Sequence, residues 1–273
     1  MMDKSSAIGV CVAAAGILGG LMIDGGNIGQ ILQPTAAMIV GGGTLGAVML
    51  QFPLEMVKEA AAEMKTVLFP KPSDTQALIT RIVEYANKAR KQGLIALDKE
   101  LENMPEPFLR KAVMLAVDGV QSAELRATME CELAFRHEQE ERVASLFDAA
   151  GGYAPTVGIL GAILGLIQVM QHLDQINEVG RGIAVAFVAT IYGVALANLV
   201  LLPCAGKLRL RHREGSLQRE VMLEGVAGII EGINPRMLQT KLSGFLDTPA
   251  ATAAKSGSRE TAPAAAHAEP ARP

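Results

Sequence analysis

The sequence predicts an all-α membrane protein with four transmembrane helices and a helical cytoplasmic domain between the second and the third. Three observations carry that prediction. Apolar runs long enough to cross a bilayer occur at residues 7–23, 34–52, 153–167 and 183–202. Lys and Arg are absent from 24–33 but crowd 54–150, and Lys207, Arg209, Arg211 and Arg213 follow the fourth run directly. Residues 54–150 show the 3.6-residue period of amphipathic helices and no strand alternation. Half of the 273 residues are hydrophobic although only 4% are aromatic, more apolar surface than a soluble domain needs.

The first run follows Lys4, but it is longer than the apolar part of a secretory signal and is followed by Asp24, Gly25, Gly26, Asn27 and then at once by another run. It is read as a retained helix. The positive charges place the large loop and both termini in the cytoplasm, with the two short hairpin loops on the other side. Cys11 and Cys204 fall inside spans and Cys131 in a charged segment, so no disulfide framework is expected. A net charge of −3 excludes the basic signature of a nucleic-acid binder.

Within 54–150, Ala77, Ile79, Ile82, Val83 and Ala86 form one helical stripe; Leu109, Val113, Leu115, Ala116 and Val120 form another. The segment 70–74 reads as a break ending in an N-cap, and Pro105-Glu106-Pro107 separates the two helical groups. Residues 122–147, free of Pro and Gly, predict a long helix towards the third span. Whether Gly151-Gly152 interrupts it is open. After Pro203, residues 207–230 read as a helical extension that Asn234-Pro235 closes off, and the Ala, Pro, Thr and Ser of 248–273 predict a disordered tail. The expected divisions are therefore 1–53, 54–150, 151–204, 205–247 and 248–273.

In the third run Gly158, Gly161 and Gly165 line one helical face and admit a close neighbour. Across the polar break at 171–182, the fourth run carries Thr190, Tyr192, Gly193 and Asn198 before Pro203. No span has Asp, Glu, Lys or Arg in its interior. A protein that couples to ions needs an intramembrane carboxylate or its equivalent, so a titrating group has to come from another chain, with Thr190 and Tyr192 able either to orient it or simply to pack. Pro155 and Pro203 each remove a backbone donor and allow a kink or a hinge. His172 is read as an interface residue. No metal-ligand spacing, phosphate loop or nucleophile elbow occurs, and no enzyme or cofactor is expected.

The block from Ala154 through Ile167, then 182–193 and 198–203, resembles the MotA flagellar stator subunits of the MotA/TolQ/ExbB superfamily. Gly41-Gly42-Gly43-Thr44, Arg90-Lys91-Gln92-Gly93-Leu94 and Glu231-Gly232-Ile233-Asn234-Pro235-Arg236 agree with that resemblance, which covers residues 8–246. It implies a multi-pass protein of the bacterial inner membrane that forms a ring of five around two copies of MotB, the subunit supplying the membrane Asp. Together they would form an ion channel that turns ion flow into torque on the rotor. The resemblance further gives Pro155 and Pro203 a role in coupling, and maps the pair that engages the rotor protein FliG onto Arg90 and Asp98. Glu100 and Glu102 lie nearby and leave the choice of acid open. Sodium-driven relatives carry Thr at the position of Ala162, facing the match of Thr190, so Ala162 implies protons as the transported ion. The competing reading is an ExbB- or TolQ-like energiser of outer-membrane processes, disfavoured because that branch has one span before its cytoplasmic domain.

Overall fold

The computed structural model describes residues 4–68 and 74–246, and every regular element among them is helical. In chain order they are α1 (Lys4–Ile23), a 3-10 turn at Ile28–Gln30, α2 (Pro34–Gln51), α3 (Leu54–Leu68), α4 (Thr75–Gln92), and a run of 3-10 turns at Leu94–Asn103. Then come α5 (Pro107–Val117), α6 (Ser122–Gln171), α7 (Ile176–Ala195), a π-helical segment at Leu196–Leu201, α8 (Leu202–Ile230) and α9 (Pro235–Ser243). Four of these helices are long and apolar enough to cross a membrane: α1, α2, α6 and the continuous α7–α8.

Local chemistry sets most boundaries. Asp74 caps α4 by accepting from the Ala77 N–H at 3.0 Å. Pro34, Pro107 and Pro235 each open a helix, where a missing N–H costs nothing. Gly93 leaves α4 at φ +83°, a conformation other residues rarely adopt. The remainder of the expected 70–74 break, and the 248–273 tail, lie outside the described residues.

Three details differ from the sequence reading or settle it. α6 runs unbroken through Gly151-Gly152 because Gly151 is packed against Leu202, where an added methyl would sit 2.7 Å from that side chain. The polar break shrinks to residues 172–175, with Glu178 and Arg181 taken into the start of α7. α8 stops at Ile230, where the 207–230 run ends, with Gly232 turning at φ +70° and the Ile233 N–H closing on Gly228 O at 3.0 Å, and Asn234-Pro235 goes on to open α9, with Asn234 as its cap.

The chain separates into two compact units that do not follow sequence order. One comprises Met1–Pro72 with Ala134–Glu214, the other Ser73–Leu133 with Gly215–Pro273. The expected 54–150 and 205–247 divisions therefore each contribute to both, since α6 and α8 are single helices shared between the units. In the first unit the core is built largely of small residues, Ala144, Ala150, Ala154, Ala197 and Ala205, with Val48, Phe147 and Leu208. α1 has no buried residue in its span. Apolar all round and mostly exposed, it needs lipid or other protein about it.

The second unit packs Ile79, Ile82, Leu97, Met104, Leu125, Met129, Val226 and Leu238 into one core. Burying each of the larger of these contributes roughly 1.5–3 kcal/mol. A polar staple ties three helices beside it. Arg126 donates to both oxygens of Glu224 at 2.5 and 3.2 Å, Lys241 reaches Glu224 at 2.7 Å, and Glu231 accepts from Ser122 at 2.6 Å. The Arg126 hydrogen bonds hold the Glu224 carboxyl down to about 2, against the opposing effect of burial.

A carboxyl whose folded pKa lies below its unfolded value stabilises the fold above the unfolded pKa, and that stabilisation is lost as pH falls through the folded one. The relevant window is therefore from about 4.5 down to about 2. Glu224→Gln should destabilise the protein by about 1–3 kcal/mol at pH 7. Thermal unfolding in detergent should show the gap between variant and wild type closing as pH drops from 5 towards 2; a gap constant over that range would mean the staple does not act through its charge.

Candidate functional site

The third and fourth apolar runs meet backbone to backbone. A methyl added at Gly158 would lie 2.9 Å from Ala189 O, one at Gly165 would lie 2.9 Å from Gly182 O, and one at Gly193 would lie 2.5 Å from Ala154 O. Gly161 faces the Ala189 methyl, and Gly43 of α2 faces Val157. The glycines predicted to admit a close neighbour do so, and α7 answers with glycines of its own. Ala162 and Thr190 flank this seam, each four residues on from a seam residue, Gly158 and Ala186.

Thr190 donates its hydroxyl to Ala186 O at 3.2 Å and borders a cavity of about 360 Å³ with Ile17, Val194 and Asn198. Ala162 is not among that cavity's lining residues. Tyr192 reaches elsewhere. Its hydroxyl donates to Ile31 O at 2.6 Å and accepts from the Gln33 N–H at 3.4 Å, clamping the backbone just before α2 to α7. Of the expected ion-path residues, Pro155, Ala162, Thr190 and Tyr192 are partly buried and Pro203 is exposed.

Each of the two prolines sits where helical hydrogen bonding is altered. Pro155 lies inside α6 and cannot donate to Gly151 O; next to it Thr156 turns its hydroxyl back to Tyr153 O at 2.8 Å, and the Tyr153 hydroxyl donates to Gln51 on α2 at 2.8 Å. Pro203 follows the π-helical segment, in which the Leu202 N–H bonds Ala197 O five residues back. A proline ring crowds the carbonyl four residues earlier, and widening the turn relieves that contact. The π segment was not anticipated from sequence; Pro203 was its only signal. Thr44, named above only within the Gly41-Gly42-Gly43-Thr44 segment, is 5% exposed, and its hydroxyl has no hydrogen-bond partner. It lies one turn from Val40 and one from Val48 on the buried stripe of α2.

Beyond the apolar part of the first unit, Arg209 donates to Glu141 at 2.7 Å and also to Asp148, joining α8 to α6. The Arg209 hydrogen bond holds the Glu141 carboxyl below its ordinary value. Among the described residues no group of three His, Cys, Asp or Glu is placed to hold a metal ion.

In the second unit Arg90 lies in the last turn of α4, and Asp98, Glu100 and Glu102 lie in the 3-10 run after it. Glu100 is engaged within the chain, accepting from Lys88 at 2.5 Å, whereas Arg90, Asp98 and Glu102 are exposed. Glu100 is thus paired within the chain, while Arg90, Asp98 and Glu102 present free charge of both signs at the surface.

Residues 100–221 match the MotA/TolQ/ExbB proton channel family, and residues 7–93 match the motility protein A N-terminal family. Motility protein A of Bacillus subtilis is 35% identical over 90% of this chain and 91% of its own length. The chain belongs to the MotA/TolQ/ExbB proton channel family. Within it, the chemotaxis protein PomA of Vibrio alginolyticus is 32% identical over 90% of this chain and 96% of that protein. Among solved structures, C. jejuni MotAB superposes with a TM-score of 0.86 at 31% identity, covering 91% of this chain and 97% of that one. The flagellar MotAB stator complex from Bacillus subtilis gives 0.82 at 34% identity, covering 93% and 99%. Together with the four apolar helices, these likenesses make the chain an all-α membrane protein of the MotA kind.

The seam yields a sharp expectation. Gly193→Ala places a methyl 2.5 Å from a backbone oxygen that cannot rotate away, and should cost about 1–3 kcal/mol by overpacking. Gly180→Ala, where the methyl meets nothing within 4 Å, is the matched control. Native gels of solubilised membranes should show much less assembled complex for Gly193→Ala and wild-type amounts for Gly180→Ala; equal amounts would mean the seam tolerates separation.

Proposed function

We propose that this chain is a stator subunit of the bacterial flagellar motor, which with a MotB-like partner forms an ion channel and converts ion flow into torque on the rotor. The observation that carries this reading is the near full-length likeness to two MotAB stator structures. The sequence supplies its chemical logic. No span interior of this chain holds an ionisable acid, so the partner provides the carboxylate that takes and releases the ion. By analogy with the family, five copies surround two partners in the inner membrane. Both termini then lie in the cytoplasm, in accord with the Lys and Arg distribution.

In this reading the partner's acid works beside the α6–α7 seam, with the Thr190 hydroxyl at its flank. Neutralising the acid changes what the seam must accommodate, and the altered backbone at Pro155 and beside Pro203 offers places to yield. α6 and α8 each continue from the first unit into the second, which bears Arg90 and Asp98 for contact with the rotor protein FliG. The energiser reading is less well supported, because the motility protein A N-terminal match covers 7–93 and so both of the first two apolar helices.

Sodium needs several oxygen ligands in place of its water, whereas a proton needs only the carboxylate and a route. Ala162 brings no hydroxyl to the flank of the seam, which favours protons. Each charge releases roughly 2.3 kcal/mol per 100 mV whichever ion carries it, so coordination and not energy decides. Swimming should be insensitive to removal of external Na⁺ and should collapse with a protonophore. A speed that tracks Na⁺ concentration would overturn the assignment.

Pro155→Ala restores a donor for Gly151 O while leaving the Gly158 face intact. Stators carrying it should assemble and be recruited to the motor at wild-type levels but swim several-fold more slowly. Loss of assembly in that variant would make Pro155 a structural kink and nothing more.

A further inference from the structure

Large apolar side chains stand exposed at three places among the described residues of the second unit, Ile95, Met114 and Met237, and Ile95 is the most open at 77%. A single exposed isoleucine is ordinary on a protein surface. Its setting distinguishes it. Side chains three apart eclipse one another in a 3-10 segment, so within Leu94–Asn103 residues 94, 97 and 100 share one face and residues 95 and 98 the next. The first face turns inward: Leu97 is 1% exposed and Glu100 is drawn to Lys88 at 2.5 Å. The second face puts Ile95 one turn from the exposed Asp98, with Arg90 and Lys91 exposed at the end of the preceding helix.

The segment is also fixed in place. Gly93 turns the chain at φ +83°, the Lys88–Glu100 pair ties the middle, and Arg110 donates to Met104 O at 2.6 Å beyond its far end, where Met104 is itself fully buried. Ile95 is thus held out in water by a pinned backbone. A surface ordered before contact loses less freedom on binding, and stable contacts place an apolar group at the centre of a charged rim.

The geometry points to Ile95 as the apolar anchor of the rotor contact, with Asp98 and Arg90 as its charged rim; this rests on the rotor reading given above. The occupant is a protein surface that offers a base to Asp98, an acid to Arg90 and an apolar depression between them. Charges exposed on both sides steer and orient such a partner, while a desolvated anchor holds it.

The test uses the complete stator complex in nanodiscs and purified FliG of the same bacterium, with binding measured at low and high salt. Ile95→Ala should weaken binding about tenfold at both salt concentrations, and Ile95→Val should stay within about twofold of wild type. Arg90→Glu should weaken it strongly at low salt and less at high salt, because screening acts on charges alone. Equal yields of assembled complex serve as the folding control. Unchanged binding by Ile95→Ala beside a defective Arg90→Glu overturns the anchor and leaves the rotor reading standing, as does an Ile95→Ala defect that disappears with salt. Absence of binding by the wild-type complex, or neutrality of both variants, removes the rotor reading and the anchor with it.

Discussion

Close approach of two backbones is the constraint on which the first unit depends. α6 and α7 touch at Gly158, Gly165, Gly182 and Gly193, where main-chain atoms fill the space that a side chain would otherwise take. In hydrocarbon there is no gain from hiding apolar surface, so helix pairs are held by dense van der Waals contact, and glycine permits the shortest distance. α2 completes the cluster from the other side by a buried stripe of Ala36, Val40, Thr44 and Val48. α1 has no buried residue in its span, and although Ile17 borders the cavity beside Thr190, most of its surface is left to lipid or other protein.

A tight seam made of small residues leaves little chemistry inside a single chain. The hydroxyls near it are already engaged: Thr190 with Ala186 O, and Tyr192 with the backbone before α2. Tyr192 therefore secures the α1–α2 connection to α7, and its partners make it a positioning residue for that connection. Thr44 is the exception, a buried hydroxyl without a partner in a stripe that is otherwise apolar.

The spans were legible because long uncharged runs have few alternatives, and the helical character of the second unit was legible because the stripe of Ile79, Ile82 and Ala86 repeats at helical spacing and is indeed buried. What escaped the sequence was what depends on distant partners. Nothing in the local pattern distinguishes Glu100 from Asp98, yet Lys88 twelve residues earlier pairs with Glu100 alone of the two. Tyr192 meets a backbone 161 residues away, which no local pattern encodes. The end of the periodic run at Ile230 was legible, and α8 does stop there; that Asn234-Pro235 also begins a helix was not, because the pair reads equally well as a stop. The mixing of chain segments between the two units escaped for the same reason, since α6 and α8 show no break at the places where their packing partners change.

A protein that turns ion passage into force must be stiff where it pushes and compliant where it responds, and the hydrogen bonding of this chain is uneven in that sense. Around Leu94–Asn103 polar contacts are added to the backbone: the Lys88–Glu100 pair and the Arg110–Met104 bond brace a segment whose 3-10 geometry alone is weak. In α6 and at the α7–α8 junction they are withdrawn or displaced, one donor missing at Pro155 and the pattern shifted to five residues at Leu202. Near each altered turn a side chain adds a bond to a carbonyl of its own helix, Thr156 to Tyr153 O and Asn198 to Val194 O. Both altered turns lie towards one end of the Gly-lined seam, where Gly151 meets Leu202 and Ala154 meets Gly193, and the regular hydrogen bonding of the two helices resumes along the seam towards Gly165 and Gly182.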